Sequence, residues 1–397
     1  MMASQRSWYL GGVTGFVIPL GIQAILFPWL VAVQLQESAE RLGLAQMSTQ
    51  LPAIFLILFG GVLADRVDAR KILIYGHLLA ALPALALAWV LHQGHLSYEV
   101  LIIYALFTGS VTAFVQPARD GLLNRVASGE VQKTVTITMG LTFTAQLCGY
   151  LLASLADNVG AVQILLLQAV IVLVSIIAVL KLVPVASTKP AVQQSMPEQL
   201  LGGLRVVFGS QRMLPALSML FGVAVFFGGS FAVLNPLIVR DVYFGGADEI
   251  SMSFAAFVAG TISSIILLVA RGGVARQGRA LLLAMLTGGL SLGSAAFSLP
   301  FGSYLLALFV FGMSGGVAMS MGRTIMQEAA PEASRARVMS VFSLANIGGL
   351  PVGAVAMGYC AAAFGPLNCL LIAVAGVWLT ALVVLWRSNL WLLASQP

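Results

Sequence analysis

Charge is what this sequence has least of: Asp, Glu, Lys and Arg make up 9% of its 397 residues, against about 25% in ordinary soluble domains. So little charge does not suit a globular domain dissolved in water, and the distribution of the basic residues argues against the nucleic-acid partner that a net charge of +6 would otherwise suggest. Cysteine is nearly absent as well. Cys148, Cys360 and Cys369 fit no metal-ligand spacing and no disulfide framework. They read as plain buried thiols, with a bridge between Cys360 and Cys369 as the only alternative. There is no HExxH, no Walker loop and no evident Ser/His/Asp set, which argues against an intramembrane protease, an ATP-driven pump or any enzyme, and no cofactor is expected. The opening "MMASQRSWYL" lacks the charged start, short apolar core and cleavage site of a signal peptide, so the first apolar run is expected to remain as a helix.

What the sequence has in abundance is apolar length. Hydrophobic residues account for 59% of the chain, and mean hydropathy is +0.99. A spanning helix needs roughly 20 apolar residues, since about 30 Å of hydrocarbon is crossed at about 1.5 Å per residue. Twelve runs qualify: 11–34, 47–64, 72–92, 99–117, 134–156, 161–183, 213–236, 251–270, 280–298, 304–322, 338–360 and 367–386. Runs of this length without period-2 alternation predict helices, not the strands of a barrel. With the first span starting inside, 18 of the 20 Lys and Arg residues fall in cytoplasmic segments, and only Arg41 and Arg240 lie outside. That positive-inside asymmetry supports a multi-pass protein with both termini cytoplasmic.

The longest polar interruption separates six spans from six. It predicts an N-terminal bundle over 1–183, a cytoplasmic linker over 184–212 and a C-terminal bundle over 213–397. The halves repeat weakly: "GGVLADRVDARK" has a decayed counterpart in "RGGVARQGRA", and "LLNRVASGEVQKTV" in "IMQEAAPEASRARV". The fold class is therefore an all-α membrane protein with 12 transmembrane helices in two pseudo-symmetric six-helix bundles. Repeated halves around a midplane cavity are the architecture of secondary transporters. In the first of these stretches, Gly60 and Gly61 allow close helix approach. Asp65 then stands at the membrane boundary, able to accept from a neighbouring helix start or to pair with an arginine. Arg66, Arg70 and Lys71 can hold the loop at the anionic inner leaflet. Together these residues read as a breakable inner latch, with simple topology-setting charges as the alternative.

Those residues resemble the major facilitator superfamily, whose loop between helices two and three reads roughly Gly-x-Leu-Ala-Asp-Arg-x-Gly-Arg-Lys. Gly61, Leu63, Ala64, Asp65, Arg66, Arg70 and Lys71 follow it in type, while Asp68 replaces the second glycine and Ala69 the first basic position. "QPARDGLL" (Gln116–Leu123) and "LNPLIVRDVYFGGA" (Leu234–Ala247) are similar to the bacterial enterobactin-exporter and macrolide-efflux branch. The resemblance implies the major facilitator fold, the inner membrane of a bacterium, a monomer, and alternating access that exports a drug or siderophore. A lipid or lysophospholipid flippase of the same fold is the alternative, and a receptor or scaffold that has lost transport is the rival from another class. Many proton-driven members carry an arginine within helix four, whereas none occurs here before Arg119. Of their helix-five Gly-Pro-x-x-Gly-Gly only Gly149 remains, although Gly349, Pro351 and Gly353 keep a similar pattern in helix eleven.

All 14 acids lie at span ends or in loops, so a substrate cavity would be lined by neutral groups. Gln23, Thr112, Gln116, Gln146, Asn235 and Asn346 are the polar candidates, each equally suited to bonding another helix. Phe27, one turn after Gln23, and Phe226 and Phe227 before Asn235 add rings. Such a lining suits a bulky amphipathic small molecule as partner, besides the lipid bilayer. Arg119 and Asp120 would join Asp65 at the inner gate, with Arg337 as the corresponding element of the second half. If protons are coupled, Asp120, Asp241 and His77 are the candidate carriers. Arg119 and Arg240 stand beside the two acids, so fixed gate pairs are their alternative role, and helix packing is the alternative for His77.

Overall fold

A computed structural model of the chain describes residues 2–126, 131–183, 196–271, 274–388 and 390–392. Each of the twelve apolar runs is built mainly of helix, although 134–156, 161–183 and 280–298 run a few residues past a helix end, because in lipid a backbone bonded only to itself leaves no group unmet. The first half comprises α1 (Met2–Trp29), α2 (Ala39–Arg66), α3 (Ala69–His92), α4 (Tyr98–Val126), α5 (Val131–Ala153), the short α6 (Ala156–Val159) and α7 (Ala161–Leu180). A linker helix α8 (Met196–Phe208) leads to α9 (Met213–Gly222), α10 (Gly229–Asp241), α11 (Ala247–Ala270), α12 (Gln277–Ser294), α13 (Phe301–Ala329), α14 (Arg335–Phe364) and α15 (Pro366–Arg387). Among the described residues, 11 helices are long and apolar enough to cross a membrane, and there is no strand. Large side chains such as Phe59, Leu82, Trp89, Ile103, Leu306 and Leu382 are exposed. In water these would form sticky patches, but in a bilayer they meet lipid tails of the same polarity.

The chain divides into two compact units that do not quite follow the sequence halves. Unit 1 comprises 1–37, 48–193 and 245–252, and unit 2 comprises 38–47, 194–244 and 253–397. The start of α2 thus belongs with the second unit and the start of α11 with the first. Within unit 1, α1 packs on α5 and α7, and α3 on α4 and α7; within unit 2, α10 and α9 pack on α14, and α12 on α13 and α15.

Both units use one device at corresponding crossings. Where α1 meets α5, a Cβ on Gly21 would lie 2.5 Å from the Gln146 carbonyl oxygen, and Gly149 faces Gly21 directly. Where α10 meets α14, a Cβ on Gly229 or Gly353 would strike the opposing backbone. Lipid gives no hydrophobic drive for helix association, so dense contact between small residues supplies the adhesion. The retained Gly149 and Gly353 are therefore packing positions. Each half also carries a widened π turn, Leu30–Gln34 after α1 and Val223–Gly228 between α9 and α10. Such turns break regular helical pairing and often accompany functional positions. Here the second one holds Phe226 and Phe227.

Candidate functional site

At the α2–α3 end of unit 1, Gly61, Asp65 and Arg66 fall in the last turns of α2, and their side chains lie outside the described residues. Asp68 is the N-cap of α3, its carboxylate accepting from the Arg70 N–H at 3.0 Å, which satisfies one of the donors that a helix start leaves open. The Arg70 guanidinium donates to the Leu180 carbonyl at the end of α7, at 2.5 Å, where the helix dipole favours a cation. Lys71 is exposed. The acid that replaces the family's glycine thus acts on its own helix, while Arg70 joins α3 to α7.

Further along, Arg119 lies 3.6 Å from Asp120, whose side chain is 62% exposed, so the pair is screened and weak. The Arg119 carbonyl accepts from Tyr9 OH at 3.2 Å. His77 is fully buried, with Nδ1 2.6 Å from the Leu73 carbonyl oxygen, Nε2 3.4 Å from that of Gly12, and its ring 5.1 Å from Phe16. Tyr9, His77 and Arg119 border a void of about 10 Å³. Arg337 is half-buried near the start of α14, where its backbone carbonyl abuts Gly203 of α8.

The polar cavity candidates have different surroundings. Gln23 Nε2 donates to Thr108 Oγ1 at 2.9 Å, and Thr112 Oγ1 to its own helix at the Thr108 carbonyl. Phe27 is buried and stacks on Tyr104 with ring centroids 6.2 Å apart. Gln116 is exposed, and Gln146 donates to Tyr150 OH at 2.8 Å. In unit 2, Asn235 is 2% exposed, donating to Ser253 Oγ and accepting from Tyr304 OH, both at 2.8 Å. Its amide is held between helices. Phe227 is buried edge-on to Phe311, Phe226 is half-buried against Gly376, and Asn346 is half-buried. Asp241 forms a two-pronged pair with Arg240, at 2.6 and 3.0 Å.

A contact with no counterpart among the sequence-based expectations lies in unit 1, where α6 meets the start of α11. Asp157, in α6, accepts from the Ala247 N–H at 2.5 Å and from the Asp248 N–H at 3.3 Å, capping α11 across 90 residues of chain. Gly246 gives the carboxylate room: a Cβ there would overlap it. Glu249 closes the turn from within, accepting from the Gly246 N–H at 2.8 Å. The glycine pair before two acids in "FGGADE" was the available signal. In unit 2, the start of α2 meets α14 through Gly43 and Gly358, and Gln46 donates to the Ala232 carbonyl at 3.0 Å. Nearby, Tyr243 OH donates to the Leu299 carbonyl, and partial burial raises its pKa, so it stays a neutral donor. All three cysteines are free thiols, Cys369 buried and Cys148 exposed, so no bridge joins Cys360 to Cys369. Among the described residues no three His, Cys, Asp or Glu side chains converge on a metal position.

Long apolar helices, glycine-mediated crossings within each unit and the α2–α3 loop motif point to a membrane transporter. The Major Facilitator Superfamily model matches residues 11–354, and the chain belongs to that superfamily. It is 24% identical over 354 residues to the enterobactin exporter EntS of Shigella boydii serotype 4 (strain Sb227), covering 86% of this chain and 82% of that one. The EntS protein of Escherichia coli O81 (strain ED1a) is 24% identical over 352 residues with the same coverage. Among solved structures, the nucleoside transporter NupG aligns with a TM-score of 0.77 at 17% identity, covering 96% of this chain and 98% of that one. An auto-inhibited peptide transporter of the POT family aligns at 0.71 and 13% identity, covering 96% of each chain. These two share the fold. The protein is a multi-pass, non-enzymatic transporter.

Proposed function

We propose that the protein exports a bulky amphipathic small molecule, a drug or siderophore, across the bacterial inner membrane by alternating access, as a monomer with both termini cytoplasmic. The observation that carries this reading is similarity to enterobactin exporters over 86% of the chain. Support comes from spans with no acid at mid-membrane and from amide and aromatic groups on α1, α5 and the α9–α10 segment, which suit a ligand with a large apolar surface and a few polar groups. Gly61, Asp65, Arg66, Arg70 and Lys71, with Arg119, Asp120 and Arg337, form the inner gate. Gln23, Phe27, Thr112, Gln116, Gln146, Phe226, Phe227, Asn235 and Asn346 supply the cavity groups, Asn235 by moving off its present partners or by holding the helices that line it. Asp120, Asp241 and His77 are the groups through which protons would be coupled.

The test is flux in liposomes containing the purified protein under an imposed pH gradient, screened over a catechol siderophore, a macrolide and a lysolipid. Gradient-dependent movement of the siderophore or macrolide is expected, falling about tenfold or more in Asp65→Asn while the mutant still folds, since one boundary charge adds little to packing. Movement of lysolipid alone would favour a flippase, and no flux of any of the three would reject the reading.

A further inference from the structure

Three sulfur atoms converge in unit 2, where α14 ends and α15 begins. Met357 and Cys360 stand one turn apart on α14 and so share a face of that helix. Gly365, with φ +80°, then turns the chain, and Cys369 lies in the first turn of α15. Its Sγ is 3.7 Å from Met357 Sδ and 3.7 Å from the Met357 carbonyl oxygen. The Cys369 thiol is also hydrogen-bonded to that of Cys360. Cys369 and Met357 are buried, whereas Cys360 is half-buried beside the exposed Tyr359.

Spacing rules that count only cysteine and histidine miss this cluster, because its third sulfur is a thioether. Packing accounts for each sulfur singly, since a buried thiol behaves as a small hydrophobe and methionine fills gaps. It gives no reason for two of the chain's three cysteines to meet on one methionine. The separation suits a metal ion. Metal–sulfur bonds of about 2.3 Å in a trigonal plane put neighbouring sulfurs about 4 Å apart, close to the 3.7 Å between Cys369 and Met357.

The ligand chemistry narrows the ion. Thiolate and thioether are soft ligands that select Cu(I), and three sulfurs leave Zn(II) one short of its closed tetrahedron. One thiolate is enough to neutralise a monovalent ion. Cys360, the half-buried member, loses its proton to solvent as the ion enters, while the Cys369 thiol and the Met357 thioether stay neutral. The complex is then uncharged, as an apolar setting requires.

We propose that Met357, Cys360 and Cys369 form a binding site for a soft monovalent metal ion, Cu(I), with Ag(I) as its redox-inert equivalent. All three residues belong to one unit, and the binding does not depend on what the protein exports.

Purified full-length protein, kept reduced and free of oxygen, is titrated against Cu(I) held as its coloured bicinchoninate complex. Withdrawal of one Cu(I) per chain is expected, with X-ray absorption showing three sulfur neighbours at about 2.3 Å. Groups that only support a metal ligand are worth about 10–100-fold in affinity, so Cys360→Ser and Cys369→Ser should each weaken binding at least about a hundredfold. Met357→Leu should weaken it about tenfold or more, and Cys148→Ser should leave it unchanged. No withdrawal of Cu(I) would overturn the proposal. So would binding that is unchanged in both Cys360→Ser and Met357→Leu, or lost in Cys148→Ser, because the ion would then lie elsewhere. If Cys369→Ser does not fold, the other two variants decide, one at a half-buried position and the other a swap of similar volume.

Discussion

Each unit joins a tyrosine to an amide on another helix, and the two joints are finished differently. In unit 2, Asn235 gives its Nδ2 to Ser253 and takes the Tyr304 proton on Oδ1, so both ends of the amide are met and the side chain is buried. In unit 1, Gln168 reaches Tyr104 with Nε2 at the longer distance of 3.3 Å, and its Oε1 meets nothing. A buried polar group left unmet costs about 1–3 kcal/mol, whereas a satisfied one is close to neutral. A closed joint of this kind acts as glue between helices; an open one keeps a capacity for something else.

That contrast can be broken by mutation. Asn235→Leu should have the largest effect, because it strands the Tyr304 and Ser253 hydroxyls together. Two bonds between membrane helices at about 0.6 kcal/mol each, or two stranded buried groups at up to about 3 kcal/mol each, bracket the loss at roughly 1–6 kcal/mol, read as a lower melting temperature in detergent. Asp157→Ala comes next. It removes a cap from α11 and should cost about 0.5–2 kcal/mol, with faster hydrogen exchange at the Ala247 and Asp248 amides. Gly246→Val should reproduce that exchange pattern by pushing the carboxylate away. The smallest effect is expected for Gln168→Leu. Exchanging an unmet acceptor for an apolar group of similar volume should change melting by less than about 1 kcal/mol in either direction. A loss as large as that of Asn235→Leu would show the two joints to be alike.

Much of the fold was legible because hydropathy reports what solvates each stretch. The runs 99–117 and 338–360 were visible, yet the helices extend to Tyr98–Val126 and Arg335–Phe364. Apolar length marks the thickness of hydrocarbon, whereas a helix ends where a cap such as Gly365 turns the chain. The side-chain roles were less legible. Which way an amide points depends on rotation about the helix axis, and in a chain apolar all round no amphipathic stripe reveals it. Asn235 and Gln23 therefore looked alike, and Gln168, flanked on both sides by apolar residues in "AVQILLLQAV", has no local feature that marks it. Asp157 and Ala247 are 90 residues apart, so their pairing belongs to the packing and has no local pattern. Asp68 was legible in kind, as an acid just before a helix, but its role as N-cap was obscured by its position where the family pattern has glycine.

Alternating access is tested most directly by counterflow. Liposomes containing the purified protein are preloaded with unlabelled siderophore or macrolide and diluted into a trace of the labelled compound with no ion gradient. A carrier that returns loaded faster than empty drives the label transiently above its external concentration, and that overshoot is the expected result. Label that rises only to equality, as through an open pore, or that never enters, as with a receptor, would contradict it.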